Sequence, residues 1–382
     1  MKVLVYWSLS GIGGVQRFEA LLTKALYELG LDVTALIPSK VDLDRVGKYH
    51  GVEVSYLKNL KVVKYKTVNC INQYCNLLDS FIGAGVLNEV VREYDVVFLD
   101  TLLLRPFHAD VDVVYYLHGA VTSLKPRPPL VFKPHRFFLF ATAELGSAYH
   151  VLQRKRTYIY ANSFFTAYLT ERTTGLKPGV LYPPVDVERI SRYVSGNREP
   201  VVSMLARFSA SKGHAFVIKA FRDAVSRCGG SDLRLVLMGA AEDVTSMLYV
   251  KHLMTTARGL GIHRRVSFVL NPSIDTVYHV LGRSAAFVHV RSHEPFGIVV
   301  AEAMAAGAVP IVHKSGGPWI DIVRLGRYGL GFDTEEETAA SICRALELAD
   351  KLRTVVIRRS HEFSYDVFKQ KLKEIIDEIV IN

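Results

Sequence analysis

Short, densely apolar runs alternate along the chain with longer stretches whose apolar positions recur every three or four residues. KVLVYW (2–7), DVTALI (32–37), DVVFLD (95–100) and DVVYYL (112–117) are too uniformly apolar for strands with one wet face. They predict strands buried on both sides, as in parallel sheets. The stretch from Gly14 to Leu29 has helical spacing and follows the first strand. A second series opens near Val201 with VVSMLA (201–206) and a helix from His214. It continues through LRLVLMG (233–239), RVSFVL (265–270), AAFVHV (285–290) and AVPIV (308–312). Strand–helix alternation of this kind predicts α/β architecture with parallel sheets, here as two Rossmann-like domains facing a cleft.

GLKPGVLYPPVDVERI (175–190) separates the two series, and its adjacent prolines stop any helix. The expected division is 1–184 for a first Rossmann-like domain and 185–363 for a second. Residues 364–382 carry a helical apolar stripe and are expected to cross back to the first domain.

HEPFGIVVAEAMAAGAVPIV (293–312) breaks the pattern. From Pro295 to Val312 the only ionisable side chain is Glu302. A carboxylate in such surroundings is costly unless it is paired. The expected helix starts near Phe296–Gly297, so Glu294 precedes it and Glu302 falls in its second turn. At 1.5 Å per residue the two acids stand roughly 12 Å apart, which suits two ends of one ligand better than two carboxylates acting on one bond. The competing reading of Glu302 is a buried acid satisfied by a backbone group or an arginine.

Composition limits the alternatives. The chain has 382 residues, 49% apolar and 22% charged, with a formal net charge of +10. It has the apolar content for full cores, and its basic balance implies an anionic partner. No window reads as a clean membrane span, and MKVLVYW reads as a first strand rather than a signal peptide, so a cytoplasmic location is expected. Cys70, Cys75, Cys228 and Cys343 show no metal-binding spacing and are expected to be reduced thiols.

Two loops at expected strand ends carry anion-binding chemistry. SLSGIGGVQRFEALL (8–22) is a glycine-rich turn into a helix, a common phosphate cradle. Gln16 stands where a dinucleotide fingerprint needs glycine, and no acid follows the second strand, which disfavours NAD. In MLARFSASKGHAFVIKAF (204–221), Arg207 and Lys212 flank a polar loop before a helix, a setting for a diphosphate. His118 ends the DVVYYL strand at its carboxyl edge, where ligands bind in open α/β sheets. Asp42-Leu43-Asp44 has the spacing of a metal-binding acid pair but lies far from these loops.

Arg207-x4-Lys212-Gly213, Glu294-x7-Glu302, the N-terminal GGVQ, ANSFFTAYL (161–169) and LYPPVD (181–186) occur in the order seen in the retaining glycosyltransferases of family 4, and the chain resembles that family over nearly its whole length. DVVFLDT (95–101), YYLHGAVTS (115–123) and GAVPIVHKSGGPWIDIV (307–323) are similar to the family's GDP-mannose-dependent α-1,2-mannosyltransferases that extend dolichol-linked oligosaccharide. Those enzymes usually show Tyr-x-His-Tyr-Pro where this chain has Gly119 and Ala120 after His118, and their eukaryotic members carry a membrane anchor.

The resemblance implies a GT-B fold and hexosyl transfer from a nucleotide sugar to a lipid-linked glycan, with retention. It implies that Arg207 and Lys212 hold the diphosphate, that Glu302 binds the ribose, and that Glu294 with the Phe296–Gly297–Ile298 backbone holds the transferred sugar. Gly13 and Gly14 approach the phosphates, and His118 lies near the reaction centre with Gln16 and Arg17 on the acceptor side. It also implies no metal and no cofactor beyond the donor. A UDP-sugar enzyme with another acceptor, or a non-catalytic sugar- or lipid-binding module, are the other readings.

Two first-domain stretches are basic and nearly free of acids. One holds Lys58, Lys61 and Lys64; the other holds Lys125, Arg127, Lys133 and Arg136 and runs into Phe137, Phe138 and Phe140. Cations beside aromatics suit an anionic bilayer surface and hence a peripheral position on the inner face of the membrane. No recognised nucleic-acid module accompanies the charge, so nucleic acid is not an expected partner.

Overall fold

The computed structural model describes residues 1–7, 14–67, 73–100, 110–121, 156–196, 199–228, 230 and 232–381. The chain divides into two compact units, Met1–Tyr182 with Phe368–Asn382, and Pro183–Val367.

The first unit's described residues form a seven-stranded, all-parallel sheet. Its strands are β1 (Lys2–Tyr6), β2 (Asp32–Pro38), β3 (Lys61–Tyr65), β4 (Val96–Leu99), β5 (Asp112–Leu117), β6 (Thr157–Ala161) and β7 (Gly179–Val180). Their order is β3-β2-β1-β4-β5-β6-β7. Helices α1 (Gly14–Glu28), α2 (Leu43–His50), α3 (Gln73–Val90) and α4 (Phe164–Thr174) connect them. Leu4, Leu36, Val97 and Tyr115, from four adjacent strands, share one core with Ala84 and Leu87 of α3.

Local chemistry sets the helix ends. Asp42 caps α2 by accepting from Arg45 N at 3.0 Å, so the Asp-Leu-Asp spacing has a structural use here. Ser163 caps α4 from one side and Gly175 closes it in the left-handed region from the other. The C-terminal helix Tyr365–Ile381 supplies Phe368, whose ring meets Phe18 of α1 at 5.9 Å, and Lys369, which pairs with Glu28 at 2.9 Å.

The second unit repeats the topology. Strands β8 (Glu199–Leu205), β9 (Arg234–Gly239), β10 (Val266–Leu270), β11 (Ser284–His289), β12 (Val309–His313) and β13 (Leu330–Phe332) are parallel, in the order β10-β9-β8-β11-β12-β13. In both sheets the order reverses beside the first strand, between β1 and β4 and between β8 and β11. In open α/β sheets this switch point is where the loops after the two strands diverge and leave a crevice. Helices α5 (Val187–Ser191), α6 (His214–Cys228), α7 (Val244–Gly259), α8 (Ile274–Arg283), α9 (Ile298–Ala305) and α10 (Glu335–Ser360) complete the unit.

One expectation is corrected here. Cys228 and Cys343 are joined by a disulfide, with Cα atoms 5.7 Å apart. The end of α6 packs beside α10, and two cysteines 115 positions apart in sequence meet there. Sequence spacing holds no record of such a meeting. Cys70 lies outside the described residues, and nothing is described of the Cys75 side chain.

Candidate functional site

The loop between β8 and α6 runs from Ala206 to Gly213. It is fixed by backbone bonds from Ala206 N to Met238 O at 2.9 Å and from Phe208 N to Ala240 O at 2.9 Å. Gly213 takes φ +75°, and a Cβ there would stand 2.5 Å from Val290 Cγ2. That close approach brings Lys212 to the end of β11. Arg207 is exposed and Lys212 half-buried. Neither forms an ion pair among the described residues. Burial, with the positive charges of Arg291 and Arg207, pushes the Lys212 ammonium below its ordinary pKa, and Glu294 opposes this only in part. The result is an excess of positive charge at the switch point of this sheet.

The β11–α9 loop faces it. His293 sits at φ +53° and Gly297 at φ +88°. Ser315 Oγ accepts from His293 N at 2.9 Å, and Gly317 N donates to Glu294 O at 2.8 Å. Gly316, at φ +80°, lies so close that a Cβ would meet the Glu294 carbonyl oxygen at 2.5 Å and its nitrogen at 2.8 Å. The SGG turn (315–317) therefore clamps the backbone that carries Glu294. The Glu294 carboxylate pairs with Arg291 at 2.9 Å. Phe296 is a core residue, edge-on to Phe363 at 5.4 Å, so the Phe296–Ile298 segment offers a ligand its backbone and not the phenyl ring.

Glu302 is 2% exposed, and Tyr278 Oη donates to its Oε1 at 3.3 Å. The buried acid is thus satisfied in part by a tyrosine of α8, a partner outside the expected backbone or arginine. Glu294 thus pairs with Arg291, and Glu302 accepts from Tyr278.

His289 was not singled out by the sequence reading. It ends β11, is half-buried, and its Nε2 has no hydrogen-bond partner among the described residues. Burial, then the charges of Lys212 and Arg291, push its pKa down to about 4, so the ring is neutral beside the cations. The signal that pointed to His118, a histidine closing an apolar strand, applies equally to it. His214 opens α6, fully buried and stacked on Phe208 at 4.8 Å, with its pKa also lowered by burial to about 4.

In the first unit, His118 follows β5, and its Nε2 lies 3.1 Å from Asp100 Oδ2 at the end of β4. Gln16 and Arg17 are buried in α1, and Gly14 opens that helix. Gly13 lies outside the described residues, as do Lys125, Arg127, Lys133 and Arg136. Lys58 and Lys64 are exposed, and Lys61 pairs with Glu93 at 3.7 Å. Lys61 and Lys64 belong to edge strand β3, an element the basic composition had concealed. Among the described residues, no group of three or more histidines, cysteines or acids is placed to hold a metal ion. No helix among them is long and apolar enough to cross a membrane.

Known proteins share this outline. The family profile described as "Glycosyl transferases group 1" matches residues 186–363. A Mus musculus relative, "GDP-Man:Man(3)GlcNAc(2)-PP-Dol alpha-1,2-mannosyltransferase", is 31% identical over 209 residues, covering 51% of this chain and 42% of the mouse protein. The chain spans about half or less of the length of such curated relatives. The crystal structure of Anabaena HepE in complex with UDP is similar with a TM-score of 0.73 at 19% identity, over 99% of this chain and 100% of that one. Sucrose-phosphate synthase from Thermosynechococcus elongatus gives 0.74 at 14% identity, over 100% of this chain and 99% of that one. These likenesses show the fold, the α/β architecture of GT-B proteins.

Proposed function

We propose, from the match of residues 186–363 to the glycosyl transferases group 1 profile, that the chain transfers mannose from GDP-mannose to a lipid-linked glycan with retention at the anomeric carbon. The observation that carries this reading is the half-buried Lys212, which feels the positive charges of Arg291 and Arg207 and forms no ion pair among the described residues. Such a site lowers its energy by taking in a diphosphate, and lowers it further as charge grows on a departing diphosphate.

In the proposed reaction the bond from C1 of the sugar to the β-phosphate oxygen breaks and a bond from C1 to the acceptor hydroxyl oxygen forms on the same face. The hydroxyl proton passes to the released phosphate oxygen. Arg207 and Lys212 stabilise the leaving charge, a role that needs no metal in this reading. Glu294 gives up its exposed, weakly held partner Arg291 for sugar hydroxyls. Glu302 holds the ribose, with Tyr278 orienting its carboxylate. His289 donates a neutral N–H towards the phosphates. Exposed Lys58 and Lys64 support docking on an anionic membrane face, where a lipid-linked acceptor resides.

A second reading, UDP-sugar dependence, is favoured by one observation: the Anabaena neighbour was crystallised with UDP. A panel of GDP- and UDP-sugars, scored for release of the free nucleoside diphosphate, separates the two. Turnover of GDP-mannose abolished by Lys212→Ala and Glu294→Ala is the expected result. Failure of every nucleotide sugar to bind or turn over sinks both readings.

A further inference from the structure

Asp100 and His118 are brought together by strand register. Leu99 of β4 pairs with Tyr115 of β5, so Asp100, the residue after β4, stands level with Tyr116 and two residues short of His118. The Asp100 side chain is 4% exposed and the His118 side chain 24%. Around the imidazole, Phe18 lies edge-on at 5.1 Å and Tyr116 at 5.0 Å, while Asn162 Nδ2 donates to the His118 carbonyl at 2.8 Å. Ring and backbone are therefore both held. An ionised carboxylate only accepts, so opposite an ionised Asp100, whose Oδ2 lies 3.1 Å away, Nε2 is the ring nitrogen that carries the proton. The other oxygen, Oδ1, is buried and has no hydrogen-bond partner among the described residues. The Asp100 charge is felt by buried Tyr115 and Tyr116, whose pKa values it raises further, after burial itself.

We propose that Asp100 is the positioning residue for His118: it fixes the ring as the Nε2–H tautomer and leaves Nδ1 as an acceptor for a hydroxyl of the bound sugar. Which nitrogen of a histidine carries the proton is set by the bond the other makes, and here a carboxylate with no competing donor among the described residues sets it. The proposal rests on the glycosyl-transfer reading for what His118 touches, but not for the pairing itself. Oδ1 completes the arrangement. With no donor to it among the described residues, it leaves the carboxylate's affinity for Nε2–H undivided.

The test combines a spectroscopic and a kinetic measurement on the full chain. In the ¹⁵N-histidine-labelled protein, a hydrogen-bonded, slowly exchanging Nε2–H resonance is expected, assigned by its loss in His118→Ala. Asp100→Ala should abolish its protection. Asp100→Asn, whose amide oxygen still accepts, should keep part of it and guards against a fold defect in the alanine variant. With the nucleotide sugar turned over by the wild type, kcat should fall about ten- to a hundredfold in Asp100→Ala, the cost typical of an outer partner that orients a functional histidine. The asparagine variant should fall in between. An unprotected Nε2–H in the wild type, or equal kcat in wild type and Asp100→Ala, overturns the proposal. A wild type inert towards every nucleotide sugar refutes the transfer reading instead, and the resonance alone then decides the pairing.

Discussion

At the scale of single residues, the site is a problem in unbalanced charge. Lys212 has a depressed pKa because burial and two neighbouring guanidinium groups disfavour its proton. A bound diphosphate reverses that environment, so binding draws in a proton wherever the free lysine has begun to lose its own. Donor affinity should hold at neutral pH and fall as pH rises through the lowered pKa. Calorimetric titration from pH 7 to 10 checks this, and Lys212→Ala should flatten the profile while lowering kcat/KM by about 10²–10³, as when one preorganised donor is removed from a developing oxyanion.

The buried histidines act in the other direction. The folded pKa of His214 is about 4, below its ordinary value of 6.5, so the unfolded chain binds the proton that the folded chain refuses. Stability is complete above pH 6.5 and is lost as pH falls from 6.5 towards 4, by on the order of 3 kcal/mol for this residue. Melting curves across that window, with His214→Asn as the control, read the effect.

At the scale of elements, the strand ends were legible because parallel strands buried on both faces leave unbroken apolar runs. Arg207, Lys212, Glu294 and Glu302 stand out as candidates because charge inside or beside such runs is conspicuous. The pairings were not. Arg291 with Glu294, Tyr278 with Glu302 and Asp100 with His118 each depend on which loops the strand order makes neighbours. β3 was obscured for a different reason: as an edge strand with exposed lysines, its KVVKY reads as surface charge.

The SGG turn shows how much of the site is backbone. In Gly316→Ala the φ of +80° becomes strained by about 1–2 kcal/mol and the new Cβ collides with the Glu294 backbone. The variant should lose kcat/KM far beyond its loss of stability. A turnover assay set beside a denaturant melt measures both. Equal, small losses in the two would show that the clamp does not place Glu294.

At the scale of the whole molecule, the disulfide is the feature that composition concealed most fully. Cys228–Cys343 closes a loop of 115 residues within the second unit. In the chain-entropy description such a closure is worth about 5 kcal/mol through the unfolded state. Reduction, or Cys343→Ser, should lower the melting temperature of the second unit and leave the pairing of His118 with Asp100 in the first unchanged. Thermal unfolding with and without reductant tests it. The bond also sets a condition on the expected cytoplasmic location, because disulfides persist mainly in oxidising compartments and in intracellular proteins of hyperthermophiles.

The passage of the chain into the second unit at Pro183 and out again at Phe368 orders events during synthesis. All seven strands of the first sheet are made before the second unit begins, yet Phe368, which meets Phe18, is made only after it ends. At about 5–20 residues per second, the ribosome spends roughly 10–40 s on residues 183–367. Throughout that interval the nascent first unit lacks its last helix and leaves the Phe368-facing side of Phe18 uncovered, while the second unit, uninterrupted in sequence, is free to close as soon as it has emerged.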